Sequence, residues 1–198
     1  MEFSHNISLD VIRDAVTQST HPPMPVKGDS KPASVIALLS FEKDPVLLFI
    51  KKAEVKGYAW SGQMAFPGGH TDPRDINRLD TALRELEEEM GIDKKNVEIV
   101  GSIGHFLTIN QREIETFIGI WNKKEEIIFD RTEISRVIPI PLNYLIGVHI
   151  KKGFNIQKPD TYSLTYPFED VVIWGVTAKM IFHFIEIILS RVKKSVSA

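Results

Sequence analysis

Residues 62–92 read GQMAFPGGHTDPRDINRLDTALRELEEEMGI, and the second half of that stretch is written at helical spacing. Leu79, Ala82, Leu83, Leu86 and Met90 make one apolar stripe, and Gly91 stops the helix, which the pattern places at about residues 77–90. Glu85, Glu88 and Glu89 stand at i, i+3 and i+4, so their carboxylates share a second face, while Glu87 points elsewhere. Carboxylates crowded on one face repel unless a cation sits among them, and oxygen ligands on a rigid element suit a hard divalent ion, Mg²⁺ or Mn²⁺. A solvated acidic face is the alternative reading of the same residues. Arg84 is placed to hold one carboxylate in a fixed orientation. Upstream, Pro67-Gly68-Gly69 lets backbone approach the same spot, where a carbonyl adds a further oxygen ligand. Asp72-Pro73 and Asp75 supply turn and capping chemistry before the helix.

Outward from this segment, the chain alternates between helical and extended patterns. Ser8 caps a helix over residues 9–17, and residues 19–32, with Pro22, Pro23, Pro25, Gly28 and Pro32, form an irregular lead-in. SVIALLSF (34–41) and VLLFI (46–50), separated by Glu42-Lys43-Asp44-Pro45, read as a hairpin. Residues 51–62 read as a loop and Met64-Ala65-Phe66 as a short extended piece. Beyond the acidic helix, residues 97–106 and 113–121 are β-rich, with a third short run at 127–128. Pro139 and Pro141 break the next run, Tyr144 to Gly147 reads as a helical turn, 154–166 as loop and strand, and 174–192 as a closing helix. The expectation is one α/β or α+β domain at 33–198, preceded by the helix and Pro-rich lead-in of 1–32.

Composition narrows the function. The 198 residues carry 24 basic and 26 acidic side chains, a net charge of −2 that argues against a protein built to coat nucleic acid. There is no cysteine, which excludes disulfides, Cys-zinc and iron–sulfur sites and a thiol nucleophile. The start, MEFSHNISLDVIRDAV, has early acidic residues and no apolar h-region, and the most apolar stretch, Met180 to Leu189, contains His183 and Glu186 and is too short to span a bilayer. A cytoplasmic protein with no membrane partner is expected. The histidines share no metal-ligand spacing.

Taken together, the glycine loop and the acidic helix resemble the signature of the Nudix hydrolases. Its closing part, Arg-Glu-apolar-x-Glu-Glu-x-Gly-apolar, is matched by Arg84, Glu85, Leu86, Glu88, Glu89, Gly91 and Ile92. The opening part departs: the spacing from Gly69 to Arg84 is one residue longer than usual, and Asp75 stands where the family has its first Glu. Both departures resemble the coenzyme A pyrophosphatase-like branch, as do Phe66-Pro67-Gly68-Gly69, Asp72-Pro73, Asp75 and Thr81-Ala82-Leu83-Arg84-Glu85. Gly62-Gln63, Glu133-Ile134 with Pro141-Leu142, and Ile173 to Ala178 are similar to further segments of that branch, so the resemblance spans about residues 33–190. The branch's Arg-Ser and Leu-Arg-x-His, associated with coenzyme A recognition, are replaced by residues 51–60, with lysines for some of the charge and Trp60 for the His.

This resemblance implies a fold, a reaction and roles. The fold is an α/β/α sandwich with a mixed sheet. The reaction is hydrolysis of a nucleoside diphosphate linked to another moiety. Coenzyme A or an acyl-coenzyme A would give 3′,5′-ADP and phosphopantetheine. ADP-ribose, NADH, dinucleoside polyphosphates or (d)NTPs are the alternative substrates, and a non-catalytic nucleotide-binding domain is a further alternative. Mg²⁺ or Mn²⁺ would be held by Glu85, Glu88, Glu89 and the Gly69 carbonyl, with Arg84 and Glu85 in the catalytic set. A base outside the box is sought among Glu113, Glu115 and Glu133. Glu115 is placed first, although Glu113 and Glu115 also fit the polar face of a half-exposed strand. Lys51, Lys52, Phe66 and Gly68 are the substrate contacts, and Trp60, Tyr58, Phe106 and His70 are further candidates to stack on a base or reach a phosphate. Many members of the family dimerise, and a homodimer is the corresponding expectation.

Overall fold

β1 (Ala33–Phe41) and β2 (Pro45–Lys52) form the expected antiparallel hairpin, with β2 extending through Lys51 and Lys52 into the stretch read as loop. The structure is a computed structural model that describes residues 7–25, 32–41, 44–57 and 60–196, so Tyr58 and the turn residues Glu42-Lys43 lie outside it. The hairpin strands pair over Leu38–Phe41 and Pro45–Leu48 and then part. β3 (Met64–Ala65) and β4 (Gly68–His70) fill the fork, β3 against Ile50 and Lys51 and β4 against Ala33–Val35. β6 (Glu113–Trp121) runs parallel to β1, β5 (Val97–Leu107) lies antiparallel outside β6, and β7 (Ile134–Pro141) lies antiparallel outside β2. The result is a seven-stranded mixed sheet.

Helix α2 (Arg78–Met90) lies on one face, burying Ala82, Leu86 and Met90 against Ile36, Leu38, Leu48, Ile50, Phe117 and Trp121. Helices α1 (Leu9–Thr17), α3 (Leu142–Lys151) and α4 (Gly175–Val196) bury the other face, which presents Val35, Ala37, Leu39, Leu47 and Phe49. A ribbon of β8 (Tyr166–Phe168) and β9 (Val171–Ile173) joins α3 to α4. This is an α/β/α sandwich, and it explains why β1 is an unbroken apolar run: it is covered on both faces.

Several sequence-based boundaries need correction. Pro139 and Pro141 do not break their segment. They sit inside β7, which among the described residues pairs with β2 alone and so forms an edge, where a missing N–H costs little. Residues 127–128 form no strand; Ile128 N–H instead donates to the Met90 carbonyl and ties the loop to the end of α2. The helical turn at Tyr144 is a ten-residue helix, α3. Separately from these boundaries, Ile12, Ala15 and Val16 of α1 pack with α4 and β5, and Arg13–Glu98 and Asp14–Arg191 ion pairs fasten the helix. Among the described residues, no helix is long and apolar enough to cross a membrane.

Candidate active site

Asn77 caps α2 by accepting the Asp80 N–H at 2.9 Å, and Gly91 ends it in the left-handed region at φ 66°. These ends fix which residues face the sheet. Glu85 lies on the Gly69 backbone so closely that a Cβ on Gly69 would stand 2.4–2.5 Å from the Glu85 carboxyl carbon and both its oxygens. Glu89 turns inward and is 5% exposed; its Oε2 accepts the Gly68 N–H at 2.9 Å and its Oε1 pairs with the Lys52 ammonium. Burial pushes the Glu89 carboxyl up, against the pull of Lys52 and the Gly68 N–H. Glu88 is the exposed member of the three.

Arg84 organises the loop and the helix together. Its Nε and Nη2 donate to the two Asp75 oxygens at 2.9 and 3.1 Å, and Nη2 also donates to the His70 carbonyl at 3.1 Å. Nη1 donates to Glu85 Oε1 at 2.9 Å and to Glu88 Oε2 at 2.8 Å. Asp75, only 2% exposed at its side chain, also accepts from Thr81 Oγ1 and the Asp72 N–H, each at 2.8 Å. The Arg84 guanidinium holds the Asp75 carboxyl well below the usual carboxylate range, and Asp75 raises Arg84 in return. The residue standing where the family has its first Glu is therefore a buried anchor for the arginine.

The carboxylates of Glu85, Glu88 and Glu89 are balanced here by Arg84 and Lys52, and no trio of acidic or histidine side chains among the described residues stands ready as an ion site. The donor set still fits a hard divalent ion. It is all oxygen, and the cradle where Glu85 meets Gly69 exists only because Gly69 has no side chain.

The sheet register carries the site sideways. Glu115 pairs with Ser34 on β1, and Ser34 pairs with Gly69 on β4, so the three occupy one row across the sheet. Neighbouring strands lie about 4.8 Å apart, which puts Glu115 on the order of 10 Å from Gly69 along the backbone. Ser34 Oγ, between them, is buried and has no hydrogen-bond partner among the described residues. Glu113 is 1% exposed and engaged with Arg78 and His105, whereas Glu115 accepts no direct hydrogen bond among the described residues. Glu133 is exposed just before β7 and lies outside this row.

Other expectations separate. Lys52 reaches the acidic helix, but strand alternation turns Lys51 to the opposite face, towards Asp170. Phe66 is not available to a substrate: it is 3% exposed and stacked on Phe49 with ring centroids 4.7 Å apart, which makes it core. Phe106 is likewise buried, against His183. Trp60 stands 6.3 Å from the His70 ring, with the Arg112 guanidinium 5.3 Å over it. Gly68, at φ +146°, contributes its N–H to Glu89. Arg78 and His105 escaped the sequence reading. Arg78 sits two turns before Glu85, a visible signal, but His105 meets Glu115 only through the irregular β5–β6 register. A cleft of about 490 Å³ lined by Ser40, Leu48, Trp121 and Pro139 opens at the other end of β1 and contains none of these residues.

A NUDIX domain pattern matches residues 30–147, which take in β1–β7, α2 and most of α3. The chain belongs to the NUDIX family. The Nudix hydrolase NudL of Photorhabdus laumondii, itself uncharacterised, is 26% identical over 179 residues, 88% of this chain and 95% of the relative. NudL of Yersinia pestis is 28% identical over 154 residues, 76% of each chain. A MutT/nudix family protein from Enterococcus faecalis shares the fold with a TM-score of 0.51 at 18% identity, covering 95% of this chain and 70% of its own. With its box residues intact, this Nudix protein is a pyrophosphohydrolase of nucleoside-diphosphate-linked compounds.

Proposed function

We propose that this Nudix protein hydrolyses coenzyme A or an acyl-coenzyme A to 3′,5′-ADP and phosphopantetheine in a divalent-metal-dependent reaction. The observation that carries the reading is the buried Asp75–Arg84 anchor. The longer loop and the Asp are the two departures shared with the coenzyme A pyrophosphatase-like branch, and Asp75 has a definite task here, holding the arginine that arranges Glu85 and Glu88. Glu85, Glu88, Glu89 and the Gly69 backbone would hold Mg²⁺ or Mn²⁺, which when bound neutralises pyrophosphate charge and acidifies a bound water. Arg84 orients the carboxylates, Lys52 balances Glu89, and the Gly68 N–H fixes it in place. Glu115 is the base: it lies in the same row as Gly69, and among the described residues neither of its oxygens accepts a direct hydrogen bond, so it can take the proton of the attacking water.

One observation favours a second reading in which ADP-ribose, NADH, a dinucleoside polyphosphate or a (d)NTP is the substrate. Trp60 replaces the branch's His and stacks beneath Arg112, and Lys51 points away, so the charge expected for coenzyme A is reduced. A panel of coenzyme A, acetyl-coenzyme A, ADP-ribose, NADH, diadenosine polyphosphates and dNTPs, at fixed Mg²⁺ and then Mn²⁺ with products identified by mass, decides between them. Fastest release of 3′,5′-ADP from coenzyme A is expected; a faster turnover of any other compound selects the second reading.

A further inference from the structure

Glu113 is the most buried acid on β6, and two cations or donors converge on it from different elements. Arg78, the first residue of α2, grips it with a two-pronged bond, Nη1 to Oε1 and Nη2 to Oε2, both 2.7 Å. His105 on β5 places Nδ1 2.6 Å from Glu113 Oε1, and since the carboxylate only accepts, Nδ1 carries the proton. Each group is thus held at one end, and its other end faces Glu115. Arg78 Nε lies 3.8 Å from Glu115 Oε2, and His105 Nε2 lies 3.9 Å from Glu115 Oε1. His105 and Glu115 are also direct partners in the β5–β6 register.

These separations are too long for hydrogen bonds. They are short enough to hem the carboxylate from both sides, so that it is confined without being consumed. Glu113 and Glu115 share one face of β6, where like charges repel, and Arg78 between them offsets that repulsion. Beside Glu115 in the strand row stands Ser34, whose buried hydroxyl has no hydrogen-bond partner among the described residues, and next in the row is Gly69, against which the Glu85 carboxylate of α2 lies.

We infer that Arg78 and His105, anchored by Glu113, are positioning residues that hold the Glu115 carboxylate in the direction from which it takes the proton of water. This rests on Glu115 being the base. Its distinctive consequence is that both residues act through Glu115 alone.

Kinetics of Arg78→Lys, His105→Gln and Glu115→Gln, singly and combined, test it with the substrate that the panel selects. Lysine cannot reproduce the two-pronged grip. Arg78→Lys and His105→Gln are expected to lower kcat about tenfold to a hundredfold with KM within about twofold. In the Glu115→Gln background the same changes are expected to cost nothing further. Because a lone buried Glu113 can upset folding, the pair Arg78→Met with Glu113→Leu removes both charges together and should keep Tm while lowering kcat. Additive losses in the Glu115→Gln background, or unchanged kcat in the folded pair variant, overturn the inference and leave Glu115 as the base. Full turnover by Glu115→Gln alone overturns the base assignment and this inference with it.

Discussion

A methyl group on Gly68 would stand 2.3 Å from the Ser34 carbonyl oxygen and 2.6 Å from the Val35 Cα, both main-chain atoms of a central strand, at φ +146°. Neither the strand nor the dihedral can yield, so Gly68→Ala is expected to destabilise the fold by about 3 kcal/mol or more, read as a drop in the urea midpoint. At Gly69 the obstacle is instead the carboxylate tip of Glu85, which can swing away. Gly69→Ala should therefore keep its Tm within a few degrees and lose at least about tenfold in kcat by displacing Glu85. Asp75 makes the residue scale pH-dependent. Its carboxyl is depressed in the folded chain, so its contribution is complete above the unfolded value of about 3.9 and fades as pH falls below it. Asp75→Asn should cost about 2 kcal/mol at pH 7, and the gap to wild type should narrow by roughly 1 kcal/mol at pH 3 in urea titrations. A gap that stays constant between the two pH values would refute the anchoring role.

At the scale of elements, legibility followed locality. α1 and the far end of α2 are readable because their caps, Ser8 and Gly91, act on backbone groups within a few residues, whereas the N-cap of α2 is Asn77 and not the Asp72 or Asp75 that the sequence suggests. Removing the Asn77 cap by Asn77→Ala should cost about 1 kcal/mol, and Asn77→Asp should restore it, as judged by thermal unfolding. The apolar runs of β1 and β2 announced themselves in the same way. β7 did not, since whether a proline breaks a strand depends on which neighbour that strand lacks, and only the assembled sheet shows that Pro139 lies on an edge. The fork in the hairpin was hidden for a related reason: β4 is a Gly-Gly-His segment with little strand propensity, held by β1 rather than by its own side chains. The acidic face of α2 was legible as a pattern. The separation of Lys51 from Lys52, the loss of Phe66 to the core and the approach of His105 to Glu115 all required the register.

The whole molecule binds its N-terminal segment to the sheet edge that carries His105. The Pro22 carbonyl accepts the His105 backbone N–H at 3.0 Å, and a Cβ on Gly104 would meet that same carbonyl at 2.5 Å, so the segment lies directly on β5. His21 fastens it further. Its Nε2 lies 2.7 Å from the Val16 carbonyl and so carries the proton, which leaves Nδ1 to accept from His183 Nε2–H on α4 at 3.0 Å. A cationic His183 could make the same bond, so it is burial rather than this contact that keeps His183 neutral. Burial, reinforced by the charge of Lys158, pushes it down to about 4. An unfolded histidine titrates near 6.5, so the stability that His183 confers is complete above that pH and is lost as pH falls towards about 4. Allowing for its partial exposure, about 2 kcal/mol should disappear between pH 7 and pH 4.5. His183→Gln keeps an N–H for His21 and cannot titrate, so its urea midpoint should fall less steeply than that of wild type over the same interval. Because His105 hangs on Pro22, the protection factor of the His105 amide, its exchange rate referred to the slower intrinsic exchange in acid, should fall in wild type at the lower pH and not in the variant. Parallel stability curves for the two proteins would show that the histidine pair does not set the acid tolerance of the segment.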